Sequence, residues 1–599
     1  MSNPIPARIA ALRDMMARHG IAACLVPTAD PHLSEYLPAH WQARQWLSGF
    51  DGSAGTLLVT AKEAGLWTDS RYFSQAEQQL AGSGIALMKQ RVSHAPEHLT
   101  WLQQHLHQGD VVAIAGDSVS VAAQRQIERL LASVGATLRV DLDLPGMVWR
   151  DRPALPHAPV FEHPLTYAGT ARAEKFEKLR HAMRKQHATH HLVSSLDDVA
   201  WLTNLRGRDV ECNPVFLAHL LVESSGPATL FVDRDKLKDD TVAALNADGI
   251  RLANYATLTD ALGELKASDS LLFDPNRVVS QVLQAVAPEV RRIEAQNPST
   301  AFKAIKSKSE LAHIREVMRR DGAALVRAFR RLEERLAAGM VQTELDVDTL
   351  LRDERSAQPN FIGESFATIA GYMENGALPH YRATPEAHNS LQRHGLLLID
   401  SGGQYLGGTT DITRVLALGP TTSEQRRDAT LVMKGMIALS RARFPKGASG
   451  PQLDALARAP LWASGMDYGH GTGHGVGYFL NVHEGPHGIR PPVSGATLVP
   501  LEPGMITSIE PGLYKPARHG IRHENLAVVV EADETEFGVF YAFETLTLCP
   551  FDRRALEAAL LNPEERAWLD DYHATVRAAL APLLEDADLA WLEKHCAPL

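Results

Sequence analysis

Along the first 145 or so residues, short apolar runs alternate with stretches whose apolar positions recur at helical spacing. IAACLVP and GTLLVT read as strands, and WLQQHLHQ and AAQRQIERLLASV as helices. Such alternation predicts an α/β domain. A second stretch repeats the first. IAACLVPTADPHLSEYL has a counterpart in HHLVSSLDDVAWLTNL, and GTLLVTAKEAGLWTDSRYF has one in AHLLVESSGPATLFVDRDKL. Each pair runs strand, acidic turn, helix, then a strand closing on an aspartate, Asp69 in one and Asp233 in the other. A period of roughly 160 residues is too long for a solenoid, so duplication of a whole domain is expected. Between the copies, Leu144 to Thr166 carries five prolines and reads as a linker.

From about Ala301 the pattern changes. SKSELAHIREVMRRDGAALVRAFRRLEERLAAG predicts a long amphipathic helix, with Ser309 as N-cap and Gly339 as stop. TELDVDTLLRDERS predicts a second helix and RRDATLVMKGMIALSRARF a third. FATIAGYMENG, HGLLLIDSGGQY, TTDITRVLALG, GMITSIEPGLY and GIRHENLAVVVEA read as strands and hairpins punctuated by glycine. The tail from about Phe551 reads as helical. The expected division is 1–155, 156–300 and 301–599, with a C-terminal extension from about 535. The fold class is α/β followed by α+β.

Composition narrows the setting. With 599 residues, 45% apolar and 22% charged, the chain is ordinary globular material spread over several cores. A net charge of −11 gives no general attraction to nucleic acid or to an anionic membrane, so neither is expected as a partner. The four cysteines are far apart and in no CxxC pattern, which excludes a disulfide framework and a zinc knuckle. The N-terminus has no signal-peptide core, and no run is long and apolar enough to span a membrane. A cytoplasmic location is the expectation.

The candidate chemistry lies in the last half. In LLLIDSGGQYLGGTTDITR, Asp400 ends one strand-like run and Asp411 lies in the next. Joined by a Gly-rich turn, the two strands can set both carboxylates at one end of a hairpin. Adjacent carboxylates repel unless a proton or metal sits between them; taken alone, two solvated turn aspartates are the plainer reading. YGHGTGHGVGYFLNVHEGP then places His470, His474 and His483 among glycines, and imidazole is the commonest nitrogen ligand. As a phosphate loop, GTGHGVG lacks the Lys-Ser/Thr ending. Glu510 in TSIEPG and Glu524 in GIRHEN complete the set, and a core-facing glutamate needs a partner. Four carboxylates and one histidine are a hard donor set suited to Mn²⁺ and able to accept Co²⁺, Zn²⁺ or Fe²⁺. That much negative charge fits two ions better than one, and two ions sharing a water imply hydrolysis.

These residues resemble the creatinase-like pita-bread metallopeptidases of family M24, in particular its long three-domain Xaa-Pro aminopeptidases. The resemblance covers essentially the whole chain. SEYLPAHWQARQWLSGFDGSAGT and LWTDSRYFSQA look like the first domain, WLTNLRGRDVECNPVF like the second, and DSGGQYLGGTTDITR, HGTGHGVGYFLNVHEGP, IEPGLY and GIRHEN like the catalytic domain. It implies two related N-terminal α/β domains, a pita-bread catalytic domain with a helical C-terminal extension, two divalent ions and a homodimer. The implied reaction is removal of the first residue from peptides with proline at the second position, through a hydroxide bridging the ions.

Residue by residue, the resemblance implies that Asp400 binds one ion while Asp411 and Glu524 bridge both. His474 binds the other ion, and Glu510 is a ligand beside the attacking hydroxide. His380 and His483 are implied in proton transfer and in contact with the substrate. His470 is implied in the proline pocket, Arg522 in holding neighbouring carboxylates, and Arg71 in reaching substrate. His523 departs from the aliphatic residue usual between Arg522 and Glu524, and alternation points it away from the metals. Prolidase shares the ligands and remains the alternative enzyme. Methionine aminopeptidase needs neither the duplicated N-terminal region nor the tail. Metal-free relatives that only bind proteins, and creatinase itself, should lack ligands that are all present here.

Overall fold

The computed structural model describes residues 3–90, 96–492 and 497–599, in two compact units, Met1–Thr300 and Ala301–Leu599.

The first unit holds two six-stranded sheets. In one, Ala23–Pro27 is central, antiparallel to Thr56–Thr60 and parallel to Val111–Ile114. Ala64–Thr68 and Ala86–Lys89 extend one side, and Thr137–Arg139 the other. In the second sheet His190–Val193 takes the central place, between Ala218–Glu223 and Ser270–Phe273. Ala228–Val232 and Ile250–Ala253 lie beyond one neighbour, and Arg291–Glu294 beyond the other. Strand order and pairing direction agree at every step, as duplication leaves them. Asp69 and Asp233 each follow the equivalent strand of their sheet. Central strands are apolar along most of their length because both faces are covered. The proline-rich stretch contains the short helix Leu144–Val148, capped by Asp143, and a two-residue strand, Phe161–Glu162, paired with Leu205–Arg206, and it runs into the short helix Leu165–Ala168.

The second unit opens with the helix Lys308–Ala337. Its N-cap is Ser307, not the expected Ser309. The Glu310 N–H donates to Ser307 Oγ at 3.3 Å, and the Glu310 carboxylate accepts the Ser307 N–H at 2.8 Å. This reciprocal box needs Ser and Glu three positions apart, a spacing that selects Ser307 and leaves Ser309 inside the first turn. Gly339 adopts φ +76 just past the end, as a helix stop requires.

Helices Glu344–Ser356, Ser423–Ser440 and Gly450–Trp462 flank the strands. Ile369–Tyr372, Leu396–Ser401 and Ile412–Ala417 form one antiparallel sheet. A six-stranded sheet runs in the order Arg443–Pro445, Gly538–Thr545, Asn525–Thr535, Ile506–Ile509, Gly473–Gly475, Glu484–Ile489. Gly512–Lys515 and His519–Arg522 make a separate hairpin. Leu397, Ile399, Val415, Met436, Ile509 and Ile521 belong to one core, which Leu569, Val576 and Leu592 of the helical tail also join. Arg414 ties that tail to the strands. Its buried guanidinium donates to Glu524 O at 2.6 Å, Cys549 O at 2.8 Å and Tyr572 Oη at 2.9 Å, and lies 3.8 Å from the Phe551 ring centroid.

Candidate metal centre

Asp400 lies on Leu396–Ser401 and pairs across the ladder with Thr413. Asp411 stands two residues ahead of Thr413, so the two carboxylates share a face. Their connection is more than a Gly-rich turn, because Gly403–Tyr405 and Gly408–Thr409 fold back on each other as a ladder of their own. His474 is central in Gly473–Gly475, where the glycines answer close backbone approach. A Cβ on Gly473 would lie 2.0 Å from Ser508 O, and one on Gly475 2.2 Å from Glu484 O. Glu510 follows Ile506–Ile509. Glu524 bridges His519–Arg522 and Asn525–Thr535, with its N–H 3.3 Å from Thr413 O.

Ligand atoms of Asp411, His474 and Glu524 all lie within 4.8 Å of one another. His474 Nε2 is 3.4 Å from both Asp411 Oδ2 and Glu510 Oε1. Its Nδ1 donates to Gly475 O at 2.9 Å, which aims Nε2 at the carboxylates. Ser508 steadies two of these groups at once, accepting the His474 N–H at 2.9 Å and donating to Glu510 Oε1 at 3.1 Å. Asp400 Oδ2 is paired with Arg522 Nη2, whereas Asp400 Oδ1 is buried without a hydrogen-bond partner among the described residues.

The electrostatics ask for a cation. Burial lifts the Asp400 carboxyl, Arg522 pulls it down, and Asp411 pushes it up again, to about 7. Burial and the charges of Asp411 and Asp400 hold Glu524 well above the usual carboxylate range. Burial opposes charge on His474, but the hydrogen bond with Asp411 and the charge of Glu510 outweigh it and carry the imidazole up to about 9. Crowded, desolvated carboxylates beside one imidazole, with one carboxylate oxygen unpartnered, fit a hard divalent ion. No thiol enters this donor set; all four cysteines are free.

The His483 ring stands edge-on to His474, centroids 4.3 Å apart. His470 Nδ1 donates to Gly471 O at 2.7 Å, so Nε2 accepts from the Tyr514 hydroxyl at 2.8 Å. Tyr514 Oη in turn accepts from Arg522 at 2.6 Å, which links His470 back to Asp400. His380 is half-buried beyond the turn Met373–Ala377. His523 is buried with its ring perpendicular to Phe551, centroids 5.6 Å apart, and burial together with the Arg414 charge pushes it down to about 3. Arg71 belongs to the other unit, where Asp69 receives its guanidinium at 2.8 Å.

Sequence reading missed Thr413, Ser508 and Tyr514. Each bonds a candidate ligand or the arginine that holds one. Thr413 lies two residues after Asp411 and Ser508 two before Glu510, which is the one sequence signal they carry; Tyr514 follows Glu510 by four.

Fold and donor set together define a metal-dependent hydrolase. Family models match residues 8–144 and 151–310 as Creatinase/Prolidase N-terminal domains, 312–531 as metallopeptidase family M24, and 539–599 as the C-terminal region of peptidase M24. A protein of Laccaria bicolor named probable Xaa-Pro aminopeptidase P is 40% identical, covering 99% of this chain and 93% of its own. One of the same name from Sordaria macrospora is 39% identical and covers 99% of each. The X-prolyl aminopeptidase of Caenorhabditis elegans, described as a cytosolic enzyme with a di-nuclear active site, superposes with a TM-score of 0.94 at 32% identity over 99% of each chain. The chain belongs to metallopeptidase family M24, with creatinase-like N-terminal domains, a pita-bread catalytic domain and a helical C-terminal extension. Among the described residues, no helix is long and apolar enough to cross a membrane.

Proposed function

We propose that this chain is a dinuclear metallo-aminopeptidase that hydrolyses the N-terminal Xaa-Pro bond of peptides and releases the first residue. The convergence of Asp411, His474 and Glu524 within 4.8 Å carries the reading. Asp400 and Glu510 extend it to a five-residue donor set, and the full-length relatives named Xaa-Pro aminopeptidase supply the substrate class.

Asp411 and Glu524 would be shared between two ions, with Asp400 on one and His474 on the other. Two divalent ions, Mn²⁺ by donor hardness with Co²⁺ or Zn²⁺ as substitutes, supply a water of lowered pKa and positive charge opposite a developing oxyanion when bound. Glu510 would be the donor beside that water and the group placed to accept its proton. His483, packed edge-on to His474, is assigned to the substrate carbonyl and its negative charge. His380 is assigned to the proline nitrogen as it leaves, and His470 to the wall of the proline pocket. Arg522 fixes Asp400. Arg71, held by Asp69, is retained as a substrate contact. An Xaa-Pro bond has no N–H, and attack by water at the preceding carbonyl requires none. The reading includes a three-domain chain divided near 155 and 300, a homodimer and a cytoplasmic setting.

The test is a substrate panel on metal-stripped protein given Mn²⁺, Co²⁺ or Zn²⁺. Release of the first residue from Xaa-Pro tripeptides and longer peptides is expected. Turnover of dipeptides alone would turn the assignment to prolidase, and an inert protein with every metal would turn it to a binding module.

A further inference from the structure

Beneath the segment that carries His380 lies a carboxylate outside the metal centre. Glu344 opens the helix Glu344–Ser356 and is 0% exposed. Its oxygens accept from the Tyr372 N–H at 2.7 Å, the Asn389 N–H at 2.6 Å, the Asn375 amide at 3.0 and 3.1 Å, and the Tyr381 hydroxyl at 2.8 Å. Glu344 N–H donates back to Asn389 O at 3.1 Å. Tyr372 and Asn389 bracket the segment, Asn375 lies within it, and Tyr381 adjoins His380. All four donors are neutral. Burying a charged carboxylate is costly, and an apolar residue of similar size would fill the space without that cost. What the carboxylate does that such a residue cannot is gather donors from both ends and the middle of one loop into one place.

The near end of the loop is also fixed to the metal-bearing strands. The turn Met373–Ala377 packs backbone to backbone on His519–Arg522, and a Cβ on Gly520 would lie 1.6 Å from Gly376 O. Beyond that turn, the Tyr381 hydroxyl and the Asn389 N–H tie the chain that follows His380 to Glu344.

We propose that Glu344 is a positioning residue for peptide hydrolysis, its carboxylate holding the 372–389 segment so that His380 keeps one place at the reacting bond. The proposal rests on the aminopeptidase reading and on the role given to His380 within it. Charge-assisted hydrogen bonds from several directions suit that task, because a small misplacement of a reacting group is expensive in rate.

The experiment compares E344Q, Y381F, H380A and E344Q/H380A as metal-loaded full chains. E344Q keeps the shape but turns an amide N–H₂ toward hydrogen-bond donors, whereas Y381F removes one donor and keeps the fold even where E344Q does not. Expected are unchanged metal content, a fall in kcat of roughly tenfold or more for E344Q with KM little altered, and a smaller fall for Y381F. In the H380A background, E344Q should add less than about a twofold further loss. Amide exchange at Tyr372 and Asn389 should quicken in E344Q. Losses that multiply in the double variant, or wild-type kcat in both E344Q and Y381F, overturn the proposal. A wild-type chain that cleaves no Xaa-Pro peptide sinks the aminopeptidase reading instead, and the exchange measurement, which needs no turnover, then decides whether Glu344 holds the loop.

Discussion

The hydroxyl of Thr413 donates to Glu524 Oε2 at 2.7 Å, deep in the second unit and fully buried. Thr413 Oγ1 in turn accepts from Arg522 Nε at 3.1 Å, and Arg522 grips Asp400. One threonine hydroxyl therefore joins two carboxylates of the proposed donor set, Glu524 directly and Asp400 through Arg522. Such outer partners orient ligands and tune their affinity. Replacing Thr413 by Val keeps the volume and removes the hydroxyl, so metal affinity should fall roughly 10- to 100-fold with the fold intact. Titration calorimetry of the metal-stripped protein measures this, and an unchanged affinity would count against the role.

Removing the ions should abolish turnover reversibly. Chelation followed by Mn²⁺ should restore activity, and the loaded protein should melt at a higher temperature than the stripped one, since binding only to the folded state stabilises it. Asp411→Ala and Glu524→Ala should each lower kcat by at least roughly a thousandfold, equivalent to about 4 kcal/mol. Retained activity in either variant would remove the bridging assignment.

Arg414 carries a stability prediction. Arg414→Leu leaves Glu524 O, Cys549 O and the Tyr572 hydroxyl without their shared donor in a dry environment. A loss of about 3–5 kcal/mol is expected in urea denaturation of the metal-free chain. A change under about 1 kcal/mol would mean that those groups find other partners.

The first unit should weaken as pH falls through a defined window. His191 is buried with Nδ1 donating to Leu272 O at 2.9 Å, and burial lowers its pKa from 6.5 to about 4. Between those values the unfolded chain holds a proton that the folded chain does not. Stability from this group is thus complete above pH 6.5, declines as pH drops toward 4, and falls no further below. The slope reaches about 1.4 kcal/mol per pH unit. Melting curves of wild type and His191→Gln from pH 7 to pH 4 should converge toward the acid end; parallel curves would exclude His191 as the source.

Local pattern was legible wherever a residue's neighbours along the chain set its state. The strands Ala23–Pro27 and Thr56–Thr60, the duplicated organisation, the helix stopped by Gly339 and the five candidate ligands all announce themselves in short segments. The misassigned cap shows how fine that reading is. Ser307 and Ser309 are both good capping residues, and only the three-residue spacing to Glu310 separates them.

What the sequence by itself determined was the candidate donor set and the order of its motifs, because a metal's choice of oxygen and imidazole is written in residue type. Only the tertiary structure decided which side chains hold those donors still. Thr413 meets Glu524, Arg522 meets Asp400, and Arg414 meets Tyr572 across more than a hundred residues of chain each. Glu344 reads as an ordinary first-turn glutamate until Tyr372, Asn375, Tyr381 and Asn389 fold over it. Hydrogen bonds depend on distance and angle in space, and no periodicity along the chain encodes those when the partners come from different strands and loops.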